Sequence, residues 1–250
     1  MPPNCRGVGP TRSRKVSSMR PADIEDYALA EYALAESRNY RAELSRIPMK
    51  LVGKYVLDLA AGPGTWTRLF AEAGAAKVVW TDRSKRFLDL ARKYVSGNPR
   101  QNKIAFAISD LVAAPFKDEV FDVVYCRLGL HHSTDERRTL AEIERVLRKG
   151  GLMVLVAHRR GLITEKGPGG PKRLLQYVSP YLKLLIQKKG VPARYHIERV
   201  LYSRIRRAGL FIEFVDTASP TSLYLLARKP VRESLNCFVP RPNEAQIGKL

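Results

Sequence analysis

The feature that most constrains this chain is the alternation of its apolar runs. Tyr55–Leu59, Val78–Thr81, Ile104–Ile108, Phe121–Tyr125 and Leu152–Ala157 are short and apolar, and helix-like stretches lie between them. Runs with no polar face read as strands buried on both sides. Strand and helix in strict alternation then place helices on both faces of a parallel, doubly wound sheet. A helix at His196–Ala208 and two further strand-like runs, Phe211–Asp216 and Ser222–Ala227 with Pro220 in the turn, complete the pattern as an antiparallel hairpin. The helix near Asp135–Arg148 is marked at both ends, with Ser133 and Glu136 spaced as a capping box and Gly150 suited to the position after its last turn.

With 250 residues, 45% of them hydrophobic, the chain can bury one substantial core. The expected organisation is a domain over residues 21–229, an arm at 1–20 and a tail at 230–250. The formal charge of +20 is unevenly spread. Residues 1–22 hold five Lys/Arg and no acid, and residues 159–210 hold thirteen Lys/Arg against Glu165 and Glu198. The arm is too polar for a packed core, and Met19 is a second candidate start. The tandem YALAE-YALAE, Tyr27–Glu36, reads as a helix packed on the core, too short in period for a repeat fold. Residues 159–195, with GPGGP at Gly167–Pro171, interrupt the alternation as a basic, partly apolar insertion over the mouth of the presumed site. A lid is the structural expectation for it. Cys5, Cys126 and Cys237 lie far apart, which suggests neither a disulfide framework nor a thiolate zinc site. No metal is expected. Without a long apolar run or a secretory leader pattern, the expected location is the cytoplasm; a transit-peptide reading of the arm ranks lower because an apolar face is lacking.

The candidate site is VLDLAAGPGTWTRLF, Val56–Phe70, a strand, a tight glycine turn and a helix. In an open α/β sheet, ligands bind outside the carboxyl ends of the strands at such a turn. A phosphate loop needs GxxxxGK[ST], absent here, and GPGGPK (Gly167–Lys172) has the wrong spacing. A dinucleotide fingerprint needs a third glycine where Thr67 stands, so pyrophosphate is disfavoured. A nucleoside without phosphates remains, approached closely by the backbone at Gly62 and Gly64. Asp82, in VVWTDRS at the end of the second strand, stands where a carboxylate can accept from both hydroxyls of a ribose.

With these residues in place, the chain resembles the class I S-adenosylmethionine-dependent methyltransferases, in particular the branch that includes ubiquinone and menaquinone methyltransferases. Val56–Thr67 is similar to their first motif, with Asp58 as the acid, Ala60 in place of the first glycine, and Gly62 and Gly64 filling the others. Asp82 matches the ribose acid, with Arg83 beside it. Ser109–His132 resembles the segment in which Asp110 meets the adenine amino group and Leu111 follows, and Glu142–Val156 resembles the next helix and strand. The resemblance implies a Rossmann-like seven-stranded sheet of order 3-2-1-4-5-7-6, strand 7 antiparallel, with an inserted lid. It also implies S-adenosylmethionine as cofactor, held by Asp58, Ala60, Gly62, Gly64, Asp82, Arg83, Asp110, Leu111 and Cys126.

Other residues keep two readings. His131 and His132 follow the fourth strand, where an imidazole can take a proton from an acceptor, and His132 is the stronger candidate base; packing at the start of the next helix is the plainer role for both. Cys126 lacks the preceding proline of pyrimidine C5 chemistry and reads as a buried thiol. Arg127 either steers an anionic acceptor or is solvated. The amine-directed NPPY tetrapeptide is absent. The expected activity is methyl transfer to a small or lipophilic acceptor. One alternative is an RNA acceptor held by the basic arm and insertion, which also suit an anionic membrane surface. Another is a noncatalytic subunit that retains the fold.

Overall fold

The computed structural model describes residues 21–36, 38–158, 198–219 and 222–231. Two helices, α1 (Pro21–Ala35) and α2 (Arg38–Ser45), precede the sheet. Then follow β1 (Tyr55–Leu59), α3 (Thr65–Glu72), β2 (Lys77–Asp82), α4 (Lys85–Val95), β3 (Ile104–Ile108), β4 (Phe121–Arg127), α5 (Glu136–Val146) and β5 (Leu147–His158). The described chain resumes with α6 (Glu198–Arg207), β6 (Phe211–Asp216) and β7 (Ser222–Arg228). The sheet order is β3-β2-β1-β4-β5-β7-β6, with β1 to β5 mutually parallel and β7 antiparallel to both neighbours, as the resemblance implied. The basic arm, the lid insertion and most of the tail fall outside the described residues.

Alternate residues of the central strands feed two cores. Val56, Val123, Tyr125, Val154 and Tyr224 face α3, where they meet Trp66 and Phe70. Leu57, Val124, Cys126, Met153, Leu155 and Leu225 face α5 and α6, where they meet Leu140, Ile143 and Leu201. Each such side chain, fully withdrawn from water, contributes about 1.5–3 kcal/mol, which fixes the register of the middle strands. The edge strand β6 is different: Phe211 and Phe214 are exposed.

Two element ends differ from the sequence expectation. The cap of α5 is Asp135, whose carboxylate accepts from the amides of Arg137 and Arg138. Ser133 instead hydrogen-bonds the Thr139 hydroxyl at 2.7 Å and accepts from Asp135 N. A shorter, ionised cap nearer the first turn wins over the capping-box spacing. Gly150 does not end the helix, because α5 stops at Val146 and the chain enters β5 directly; its left-handed φ of 75° makes a bend inside the strand, where its amide donates to Lys229 O.

Candidate active site

The carboxyl ends of β1, β2, β4 and β5 converge on the glycine turn. Leaving β1, the backbone takes left-handed conformations at Ala60 (φ 56°), Gly62 (φ 54°) and Gly64 (φ 86°). Such a turn needs external ties. Ala61 N donates to Thr81 O at 2.9 Å, and the Trp80 indole donates to Gly62 O at 2.9 Å. Asp82 pins the turn to β2: one carboxylate oxygen accepts from Gly62 N at 3.0 Å and the other from Ser84 N at 2.9 Å. Each oxygen keeps a lone pair for a further donor. Burial raises the Asp82 carboxyl above the ordinary range, while the amides of Ser84 and Gly62 pull it back.

Asp58 is 2% exposed and accepts from the Thr67 hydroxyl at 2.6 Å. Burial pushes its carboxyl up to about 7, against the lowering effect of the Thr67 bond. Thr67, where a dinucleotide site has glycine, thus ties α3 to β1. Gly64 supplies the close packing: a Cβ there would sit 2.8 Å from Ala91 Cβ on α4. Its lack of a side chain serves helix packing as much as ligand approach. Gly62 lies beneath α1, where a Cβ would be 3.8 Å from the ring of Tyr27.

The methyl of Ala60 has a specific partner. A Cβ on Gly129 would lie 2.5 Å from Ala60 Cβ, so the bare backbone of Gly129 makes the room that Ala60 fills. Leu128, next to Gly129, is also left-handed (φ 53°). Two unfavourable backbone conformations therefore stand side by side at the ends of β1 and β4.

Asp110 is exposed, with a carboxylate oxygen accepting from Val112 N, and Leu111 packs on the α5 side of the sheet. Arg83 is exposed near His132. Cys126 is fully buried on the face opposite Asp58 and Trp66, and burial pushes its thiol up to about 12, so it is no thiolate. His131 and His132 lie in a short turn after β4 with ring centroids 4.0 Å apart. Burial and the Arg83 guanidinium lower the His132 imidazole to about 4. His158 ends β5 with its ring 5.2 Å from His131. Among the described residues no cluster of His, Cys, Asp and Glu forms a metal site.

The amino-terminal helices supply what the sequence reading missed. Tyr32 donates to Pro63 O (3.1 Å) or Leu90 O (3.2 Å), and its ring stacks on Tyr94 at 3.8 Å. Glu31, 2% exposed, accepts from the Tyr40 hydroxyl at 2.8 Å and pairs with Arg127 at 3.7 Å. Glu43 accepts from Tyr125 OH at 2.9 Å and lies 3.7 Å from Arg127. Arg127 is neither solvated nor free to meet an anion: it is buried, ion-paired to two carboxylates and stacked 4.8 Å over Tyr40. The signal in the sequence was the spacing of Tyr27 and Glu31, one helical turn apart on one face.

A parallel sheet with a reversed final hairpin and an acid-pinned glycine turn at the carboxyl end of its first strand define a class of nucleoside-binding α/β proteins. Residues 57–155 match the family described as a methyltransferase domain. A demethylmenaquinone methyltransferase of Clavibacter sepedonicus is 35% identical over 116 residues, which is 46% of each chain. This chain thus spans about half the length of the curated relatives it matches. Among solved structures, a S-adenosylmethionine-dependent methyltransferase from Mesorhizobium loti has a TM-score of 0.62 at 23% identity, covering 78% of this chain and 99% of that one. A phosphoethanolamine N-methyltransferase 2 of Haemonchus contortus, in complex with S-adenosyl-L-methionine, has a TM-score of 0.66 at 17% identity, covering 85% of this chain and 58% of that one. At these identities the two structures speak for the fold alone. Over residues 57–155 the chain is thus similar to the class I S-adenosylmethionine-dependent methyltransferases.

Proposed function

We propose that the protein transfers a methyl group from S-adenosylmethionine to a small or lipophilic acceptor. The observation that carries the reading is Asp82, held by the Gly62 and Ser84 amides at the end of β2 with lone pairs left for two hydroxyls. Three features of the glycine turn fit the cofactor. Helix α3 begins without a side-chain cap, so its first amides are available to a carboxylate. The Thr65 hydroxyl beside them is buried with no hydrogen-bond partner. Asp58, at the same turn, is a carboxyl whose ionised form a nearby cation would favour.

In this reading Asp82 holds the ribose, the Gly62–Thr65 backbone and Asp58 the methionine end, and Asp110 and Leu111 the adenine. When bound, the sulfonium supplies a methyl group already activated for displacement. The protein's own contribution is alignment and exclusion of water. His132, held neutral at pH 7, is weak as a proton carrier at that basicity. The lipophilic acceptor rests on relatives named for demethylmenaquinone.

Calorimetry with S-adenosylmethionine tests the cofactor. Wild-type protein binds it, and Asp82→Ala weakens binding by roughly 10–100-fold, the equivalent of losing charge-assisted hydrogen bonds. A wild-type chain that ignores S-adenosylmethionine, or binds it equally well without the Asp82 carboxylate, sinks the reading.

A further inference from the structure

A cleft of about 430 Å³ opens between α3 and the chain that follows α4, bordered by Arg68, Glu72, Ser96, Asn98 and Arg100. Small-molecule sites usually measure about 300–1,000 Å³. Arg68 and Glu72 belong to α3, and Ser96 to Arg100 follow the last turn of α4. Both helices start at the carboxyl end of a strand and run back to join the next parallel one. The cleft therefore sits toward the ends of α3 and α4 that point away from the glycine turn.

Its wall is held in place by one side chain. Asn98 is 7% exposed; its Nδ2 donates to Glu72 Oε1 at 3.0 Å, and its Oδ1 accepts from Arg100 N at 2.8 Å. The same Glu72 oxygen accepts from Arg68 Nε at 2.8 Å, which spends one of the five N–H donors of that guanidinium. The exposed Arg100 side chain pairs with no acid among the described residues. What borders the cleft is thus one-sided: two guanidiniums and the Ser96 hydroxyl stand against one carboxylate, Glu72, already engaged by two donors. Glu36 also acts on Arg68 but does not border the cleft. A cation would be repelled here, whereas an oxyanion accepts from the paired N–H groups of a guanidinium in parallel.

We propose that this cleft binds a small organic oxyanion, a carboxylate or a phosphate, with Arg68 and Arg100 as its cationic clamp and Ser96 as a further donor. The site is separate from the glycine turn and does not depend on the methyltransferase reading.

The full chain is titrated by calorimetry with succinate, with glycerol 3-phosphate, and with glycerol as the uncharged control. At least one of the two anions binds with a dissociation constant below about 1 mM, and glycerol does not. Succinate alone assigns a carboxylate; glycerol 3-phosphate alone assigns a phosphate. Arg68 also lies over Tyr94, whose ring stacks on Tyr32 at 3.8 Å, so the exposed Arg100 is the residue to change. Arg100→Gln weakens the anion by about 10-fold or more with the melting temperature unchanged. Lys93→Gln, which removes an exposed cation of α4 outside the cleft, changes the affinity by less than about 2-fold. The proposal is overturned if neither anion binds or if Arg100→Gln leaves the affinity unchanged. Equal weakening by Lys93→Gln means attraction to the bulk charge and overturns it as well. An anion displaced by S-adenosylhomocysteine lies at the glycine turn instead, with the same consequence.

Discussion

Ala60 shows how one residue is decided by another far along the chain. A left-handed alanine costs about 1–2 kcal/mol, and glycine there would remove the strain at an unfolded-state entropy cost of about 0.4–1 kcal/mol. Ala60→Gly is therefore expected to change stability by less than about 1 kcal/mol and to leave S-adenosylmethionine binding intact. Gly129→Ala, with Cβ atoms forced to 2.5 Å, is expected to destabilise by about 1–3 kcal/mol. The double variant should recover most of that loss, and chemical denaturation of all four proteins checks it; additivity would mean the two positions do not share a space. Asp58 gives a prediction in pH. Its folded-state carboxyl is raised to about 7 from an ordinary 3.8, so its protonated form favours the fold. That contribution is complete below about pH 4 and is lost as pH rises through 7. Asp58→Asn should remove this slope, so that the variant gains on the wild type by roughly 3–4 kcal/mol between pH 4 and 8. Unfolding curves at both pH values decide it; parallel curves refute it.

At the scale of elements, the pairing of α1 with the glycine turn matters most. Tyr32 fastens α1 to Pro63 and Leu90, and Arg86 pairs with Glu25 from the α4 side. Tyr32→Phe leaves the ring stacked on Tyr94 and removes the hydroxyl that Pro63 and Leu90 share. The expected cost is about 1–2 kcal/mol, with faster amide exchange in α1 and weaker S-adenosylmethionine binding. Unchanged exchange in α1 would mean the helix is held by its apolar contacts alone. α3 and α4 carry the second element-level expectation. Gly64→Ala meets Ala91 Cβ at 2.8 Å and adds a side chain at a left-handed φ, so it should lower the melting temperature more than Gly62→Ala, which is strained at the backbone but meets only the Tyr27 ring, at an ordinary 3.8 Å. The element boundaries themselves were largely legible. β1, β3 and β6 run over the residues their apolar patterns marked, whereas β4 and β5 extend to Arg127 and His158 because polar residues at strand ends carry no apolar signal.

For the whole molecule, a ligand that binds the folded state alone stabilises it by mass action, about 2.7 kcal/mol at a concentration 100 times its dissociation constant. For a chain of this size that is a rise in melting temperature of roughly 5–10 °C with S-adenosylmethionine. NAD should produce none. A rise with NAD instead would reassign the nucleoside site. Among the described residues no helix is long and apolar enough to cross a membrane.

What the sequence determined by itself was the sheet and the place of the glycine turn, because buried parallel strands and a tight turn are local patterns of apolar and glycine residues. The order 3-2-1-4-5-7-6 came from the motif resemblance. Asp58 and Asp82 were legible too, since each stands at a fixed distance along the chain from that turn. Only the tertiary structure decided the rest. Arg127 reads in sequence as an exposed cation, and it is buried because Glu31 and Glu43, from helices about 80 to 100 residues earlier, surround it. Ala60 reads as a flaw in the motif until Gly129 is seen to make its room. Pattern reports which face of an element is apolar; which polar atoms meet across elements depends on packing between residues far apart in the chain.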